Sequence, residues 1–196
     1  TADIAFEDGA YRVVGTDRRT RFAEVARKAA GALDSEAAFA APYSFPNGCH
    51  AAEVEIDPDT GAVALLSYAA SHDSGTVVNP MIVEGQLHGG IAQGIGQALM
   101  EEAAFDAASG QPLTGSLMDY ALPRADDLPD LRMSLDGIPT LTNPLGAKGV
   151  GETGCTGAPP AVVNAVLDAL RPLGIAHIDM PMTAERVWRA IRGARP

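Results

Sequence analysis

The sequence predicts a mixed α+β fold. Three observations carry this: two turn-centred β-hairpin patterns in the first third, a glycine-laced helical segment in the middle, and two capped helices in the last third. At 196 residues the chain can bury a sizeable core. Its 46% hydrophobic and 20% charged residues are those of an ordinary globular protein.

The first hairpin is DIAFEDGAYRVVG, turning at Asp8-Gly9, with Ile4 and Phe6 alternating against polar neighbours. In RTRFAEVARKAAGAL, Phe22, Val25, Ala26 and Ala29 share one helical face, and the helix closes near Gly31. After the connector AAPYSFPNG comes the second hairpin, HAAEVEIDPDTGAVALLSYAA. Its first strand alternates Val54 and Ile56 with Glu53 and Glu55, DPDTG turns, and Val63 to Tyr68 return as a more buried strand.

MIVEGQLHGGIAQGIGQALMEEA is helical by its flanks and by Ile91, Ile95, Ala98 and Leu99, yet it contains Gly85, Gly89, Gly90, Gly94 and Gly96. At roughly 1 kcal/mol each relative to Ala, those glycines cost about 4–5 kcal/mol of helix stability. Close packing against another element is one explanation. The other is a polar ligand surface, since Gln86, Gly90, Gln93 and Gln97 recur at helical spacing on one face. SLMDYALPRADDLPDL reads as a short extended segment running into a Pro/Asp loop. APPAVVNAVLDALRPLG is a helix opened by prolines and stopped by Pro172 and Gly174. MTAERVWRAIRG closes the chain, with Thr183 as N-cap and Gly193 just past the helix end.

A net charge of −11 excludes a typical nucleic-acid binder, and no apolar run approaches the roughly 20 residues of a membrane helix. Cys49 and Cys155 form no CxxC pattern, which predicts reduced thiols and a cytoplasmic setting. The four histidines show no ligand spacing. The chain opens Thr-Ala-Asp-Ile with no visible signal peptide and reads as an excised piece.

The densest motif is GAKGVGETGCTGAPP, from Gly146 to Pro160, in which several glycines surround one acid, Glu152. GVGETG matches G-x-G-x-x-G letter for letter, but the context rejects a dinucleotide fold. No buried strand precedes it, no acid follows about 20 residues on, and Glu152 would point into the pyrophosphate. Lys148 is followed by Gly, so a Walker loop fails as well. What remains is a backbone able to approach a large ligand, with one carboxylate placed as a general base.

KGVGETGCTGAPPAVVNAV and EGQLHGGIAQGIGQALMEE resemble the large, molybdenum-binding subunit of the xanthine oxidase family of molybdenum hydroxylases. DSGTVVNPMIVEGQ, GSLMDYALP and NPLGAKGVGE follow in that family's order. The similarity extends over nearly the whole chain and looks most like bacterial carbon monoxide dehydrogenase-like and aldehyde dehydrogenase-like large subunits. It implies that residues 1–196 are the C-terminal portion of a molybdopterin-binding domain of aldehyde oxidase/xanthine dehydrogenase type.

In that family the Glu of the K-G-V-G-E run is the active-site base, which maps onto Glu152. The Gln of the G-Q-x-x-G-G run contacts the pterin and maps onto Gln86, with Gly89 and Gly90 completing the run. The backbone before the acid touches the cofactor, implicating Lys148, Gly149, Val150 and Gly151. The resemblance further implies a molybdenum–molybdopterin cofactor, in its cytosine dinucleotide form, shared with an N-terminal half of the subunit. Iron–sulfur and FAD groups belong on partner small and medium subunits, and the small-molecule substrate is carbon monoxide, an aldehyde or an N-heterocycle. Half a cleft should fold yet be inactive alone, with the 146–157 loop mobile or displaced and Gln86 and its glycine neighbours on exposed or self-associating surface. A non-catalytic assembly or scaffold domain that keeps the motif is the alternative.

Overall fold

Asp8 and Gly9 both take positive φ, 49° and 71°, as a tight two-residue hairpin turn demands. In the computed structural model, which describes residues 3–40 and 42–194, this turn joins β1 (Ile4–Glu7) to β2 (Ala10–Val13) in antiparallel register, Phe6 opposite Tyr11. The residues before the first helix pair with β2 instead of joining the helix. They form β3 (Arg19–Arg21), and α1 spans Phe22–Ala29. Phe6, Tyr11 and Phe22 cluster with ring centroids 4.9–6.5 Å apart. These elements make up one compact unit, Thr1–Ala40.

The second unit, Ala41–Pro196, carries the predicted glutamine and glycine motifs. Its long hairpin pairs β4 (Asn47–Ile56) with β5 (Val63–Asp73). Asp57 closes the turn by accepting from the Asp59 amide (2.9 Å) and the Thr60 hydroxyl (2.8 Å). A third strand, β6 (Leu131–Leu135), runs parallel to β5 with Tyr68 opposite Leu131, giving the order β4-β5-β6.

Three helices complete the core. Asn79 caps α2 (Pro80–Leu99) by accepting from the Ile82 amide at 3.2 Å, and Pro80 takes the first turn, where no amide partner is lost. α3 (Thr153–Leu170) packs on both α2 and β4. Ile91, Ile95, Val162 and Val166 are fully buried there, each contributing roughly 1.5–3 kcal/mol of transfer free energy.

α3 begins earlier than the sequence predicts. Pro159 and Pro160 lie inside it, and half of the expected 146–157 loop is its first turn. Tertiary packing overrides the proline signal: the Thr156 amide donates to Glu152 O at 3.0 Å, and Gly154 sits flush on α2. A Cβ on Gly154 would stand 2.7 Å from Leu87 O and 2.8 Å from Ile91 N. The last helix, α4 (Ala184–Ala194), starts where predicted, the Thr183 hydroxyl accepting from the Arg186 amide at 3.4 Å. Gly193 lies within α4 and does not end it.

Candidate functional site

Strand register builds the floor of the site. Gly48 pairs with His72, His50 with Ala70, and Ala52 with Tyr68, so these alternate residues project from one face of the β4–β5 hairpin. On that face a polar chain runs through the otherwise apolar core. His50 Nδ1 meets the Tyr68 hydroxyl at 2.5 Å, and His50 Nε2 meets His72 Nε2 at 2.8 Å. Burial lowers the His50 pKa to about 4, with His72 adding to the effect, and burial also lowers that of His72. Both rings are therefore neutral near pH 7. Burial pushes the Tyr68 phenol up, so it keeps its proton. His72 is 1% exposed and its Nδ1 has no partner among the described residues.

The wall comes from the glycine run. Gly149 to Glu152 turn into α3, and Glu152 occupies the helix N-cap position with its carboxylate exposed and making no capping bond. Its side chain is therefore left free for other work. Glu152, Gly149, Val150 and Gly151 line a cavity of about 460 Å³ together with His50 and His72. His50 lies directly under the first turns of α3: a Cβ on Gly157 would come within 2.6 Å of three of its ring atoms. Glycine is needed there for space, not for backbone conformation.

Lys148 is positioned differently. Its side chain, 10% exposed, forms an ion pair with Asp73 and does not line the cavity. Asp73 also accepts from the amides of Gly75 and Ile138, both at 2.9 Å. The Lys148 hydrogen bond, then those amides, bring the Asp73 pKa down to about 2. The Lys148 amide donates to Ser74 O at 2.9 Å, so side chain and backbone of this residue anchor the loop to the last residue of β5 and the one after it.

Gln86 is exposed on α2 beside this wall, its Oε1 3.7 Å from where a Cβ on Gly151 would be. Gly89 and Gly149 are exposed, with open space over their Cα atoms. Gly90 is buried at the α2–α3 contact, 3.0 Å from the Cys155 amide in the same sense, and Gly94 abuts Ala158 and Pro159. Helix packing thus accounts for Gly90 and Gly94, leaving Gln86 and Gly89 on the open side. The structure brings Gln86 beside Gly151, the residue that precedes Glu152. Sequence reasoning missed the Tyr68–His50–His72 chain. The hairpin register would have revealed it, because residues two apart across a paired strand meet on one face.

A family model described as a molybdopterin cofactor-binding domain matches residues 1–129. The chain belongs to the molybdopterin-binding xanthine oxidase family. The nicotine 6-hydroxylase large subunit of Paenarthrobacter nicotinovorans is 39% identical over 204 residues, covering 97% of this chain and 25% of that one. Among solved structures, the Cu,Mo-CO dehydrogenase in its carbon monoxide reduced state superposes with a TM-score of 0.81 at 32% identity, covering 98% of this chain and 25% of that one. Quinoline 2-oxidoreductase from Pseudomonas putida 86 gives 0.78 at 41% identity, covering 100% of this chain and 26% of that one. The chain spans about a quarter of the length of these xanthine oxidase family relatives. No helix among the described residues is long and apolar enough to cross a membrane.

Proposed function

We propose that the chain supplies the catalytic base and one wall of the cofactor site of a molybdenum hydroxylase, with Glu152 as the base. The observation that carries this reading is an uncapped Glu152 lining a cavity together with Gly149–Gly151, with Gln86 standing beside Gly151. The residues fit a flat polar group. Open space over Gly89 and Gly149 admits close approach to backbone, and the Gln86 amide offers a donor and an acceptor beside them.

In this reading Gln86, Gly89 and the Gly149–Gly151 backbone hold the pterin, with Gly90 setting the height of α2 on α3. The Lys148 contribution is its anchored backbone. When bound, the molybdenum cofactor supplies two-electron redox chemistry. Glu152 accepts a proton at its carboxylate, and the Lys148–Asp73 pair fixes the loop that carries it. The cofactor is the cytosine dinucleotide form. The remaining walls come from an N-terminal half of the same large subunit, with FAD and iron–sulfur groups on partner subunits in the cytoplasm. Residues 1–196 act as one C-terminal piece of that subunit and are inactive without the rest. The substrate is a small molecule such as carbon monoxide, an aldehyde or an N-heterocycle.

The test is Glu152→Gln in the assembled enzyme. Turnover should fall by roughly 10²–10⁴, the usual contribution of a general base, with molybdenum content unchanged. Near-normal turnover at full loading overturns the assignment.

A further inference from the structure

The Tyr68–His50–His72 chain has a direction. Tyr68 is fully buried, and His50 Nδ1 is its hydroxyl's hydrogen-bond partner among the described residues. With Tyr68 donating, His50 Nδ1 accepts, His50 Nε2–H donates to His72 Nε2, and His72 carries its proton on Nδ1. One group is then left unsatisfied, the His72 Nδ1–H. The opposite polarity leaves two, because the Tyr68 hydroxyl hydrogen also loses its acceptor. An unpaired buried donor costs roughly 1–3 kcal/mol, so the first arrangement is the favoured one.

That lone donor belongs to a residue lining the cavity into which the N-terminus of the 18-residue helix α3 opens. Gly48, the cross-strand partner of His72 and itself a lining residue of the cavity, packs against this edge of the ring: a Cβ there would stand 2.6 Å from Nδ1. Helix amides and an imidazole N–H both call for an acceptor. Glu152 lines the same cavity, so the acceptor must be uncharged, since an anion would face the carboxylate. The volume of about 460 Å³ suits a small planar molecule or the edge of a larger one.

We infer that His72 Nδ1–H is a binding donor to an uncharged carbonyl oxygen or aza nitrogen held in the Glu152 cavity, with Tyr68 and His50 fixing its tautomer. This rests on the proposed function. Two sources carry such an acceptor, the pterin edge of the cofactor and a carbonyl or heteroaromatic substrate.

Two substitutions in the assembled enzyme separate the donor from the ring's structural role. An Asn amide nitrogen takes the place of Nδ1, whereas a Gln amide takes the place of Nε2. His72→Gln keeps the link to His50 and loses the donor; His72→Asn keeps the donor and loses the link. His72→Gln should lose about tenfold, and His72→Asn should restore most of that loss. If the loss is in molybdenum per subunit, at unchanged KM in the loaded fraction, the acceptor is the cofactor edge. If KM rises at full molybdenum loading, with 2-pyridone and quinoline as the assayed substrates, the acceptor is the substrate. Wild-type loading and KM in His72→Gln overturn the inference, and so does equal impairment of both variants, which returns His72 to ring packing. The base assignment is read separately, from kcat of Glu152→Gln.

Discussion

Lys148 and Asp73, 75 residues apart in sequence, form a nearly buried ion pair with side chains 10% and 9% exposed. It joins the end of β5 to the loop that carries Glu152. Removing one partner of a buried pair leaves an uncompensated charge, whereas removing both is far milder. Lys148→Met should therefore lower Tm clearly, and Asp73→Asn with Lys148→Met should recover much of the loss. Thermal melts of the two single variants and the double variant check this. The same single substitution should reduce kcat in the assembled enzyme although Lys148 lies outside the cavity.

The glycines of α2 divide into two classes with opposite expected signs. At Gly94 a Cβ would stand 2.7 Å from Ala158 Cβ and 2.8 Å from Pro159 Cδ. Gly94→Ala should destabilise by about 1–3 kcal/mol, the usual cost of overpacking. At Gly85 nothing lies within 4 Å of the added Cβ. Gly85→Ala should stabilise by up to about 1 kcal/mol through helix propensity alone. Denaturant melts of the two variants should move in opposite directions.

Most of this architecture was legible in the sequence. Turn residues placed both hairpins, apolar spacing revealed α2, and Thr183 placed the start of α4. The first turn of α3 was not, because Pro159 and Pro160 are a local signal for a helix start, while the contact of Gly154 with α2 is a tertiary one. β6 was hidden behind the Pro/Asp loop even though Leu131, Met133 and Leu135 alternate with exposed Arg132 and Ser134. Its parallel pairing with β5 requires a long connection that no short-range pattern reveals. At the site, the motif residues were readable, but the destination of the Lys148 side chain was not. Nor was the histidine pair, since ligand spacing is sought along the chain and His50 meets His72 across strands.

Acid should unfold the chain in two ranges, with one sign. His50 is held to about 4 against an ordinary 6.5, so below pH 6.5 the unfolded chain binds a proton that the folded chain does not. Stability is full above 6.5 and falls as pH drops toward 4. Asp73, held to about 2 against 3.8, extends the same loss from pH 3.8 toward 2. Tm should decline between pH 6.5 and 4.5, and His50→Gln, which cannot titrate, should start lower and decline less steeply. A variant as steep as the parent would show that His50 is not the group responsible.

Gly89 separates helix stability from ligand binding on the open side of α2. Its added Cβ meets nothing within 4 Å, so as a helix residue alone Gly89→Ala should raise stability, as at Gly85. If the pterin lies against this surface, the same methyl occupies the contact. Molybdenum content of the assembled enzyme should then fall while the melt of the chain improves. Gln86→Ala should also lower loading, because a buried cofactor edge loses its partner at about 1–3 kcal/mol, while an exposed side chain leaves the melt nearly unchanged. Metal analysis beside thermal denaturation of both variants gives the answer. Loading that stays at the parent level in both would return Gln86 and Gly89 to ordinary helix surface.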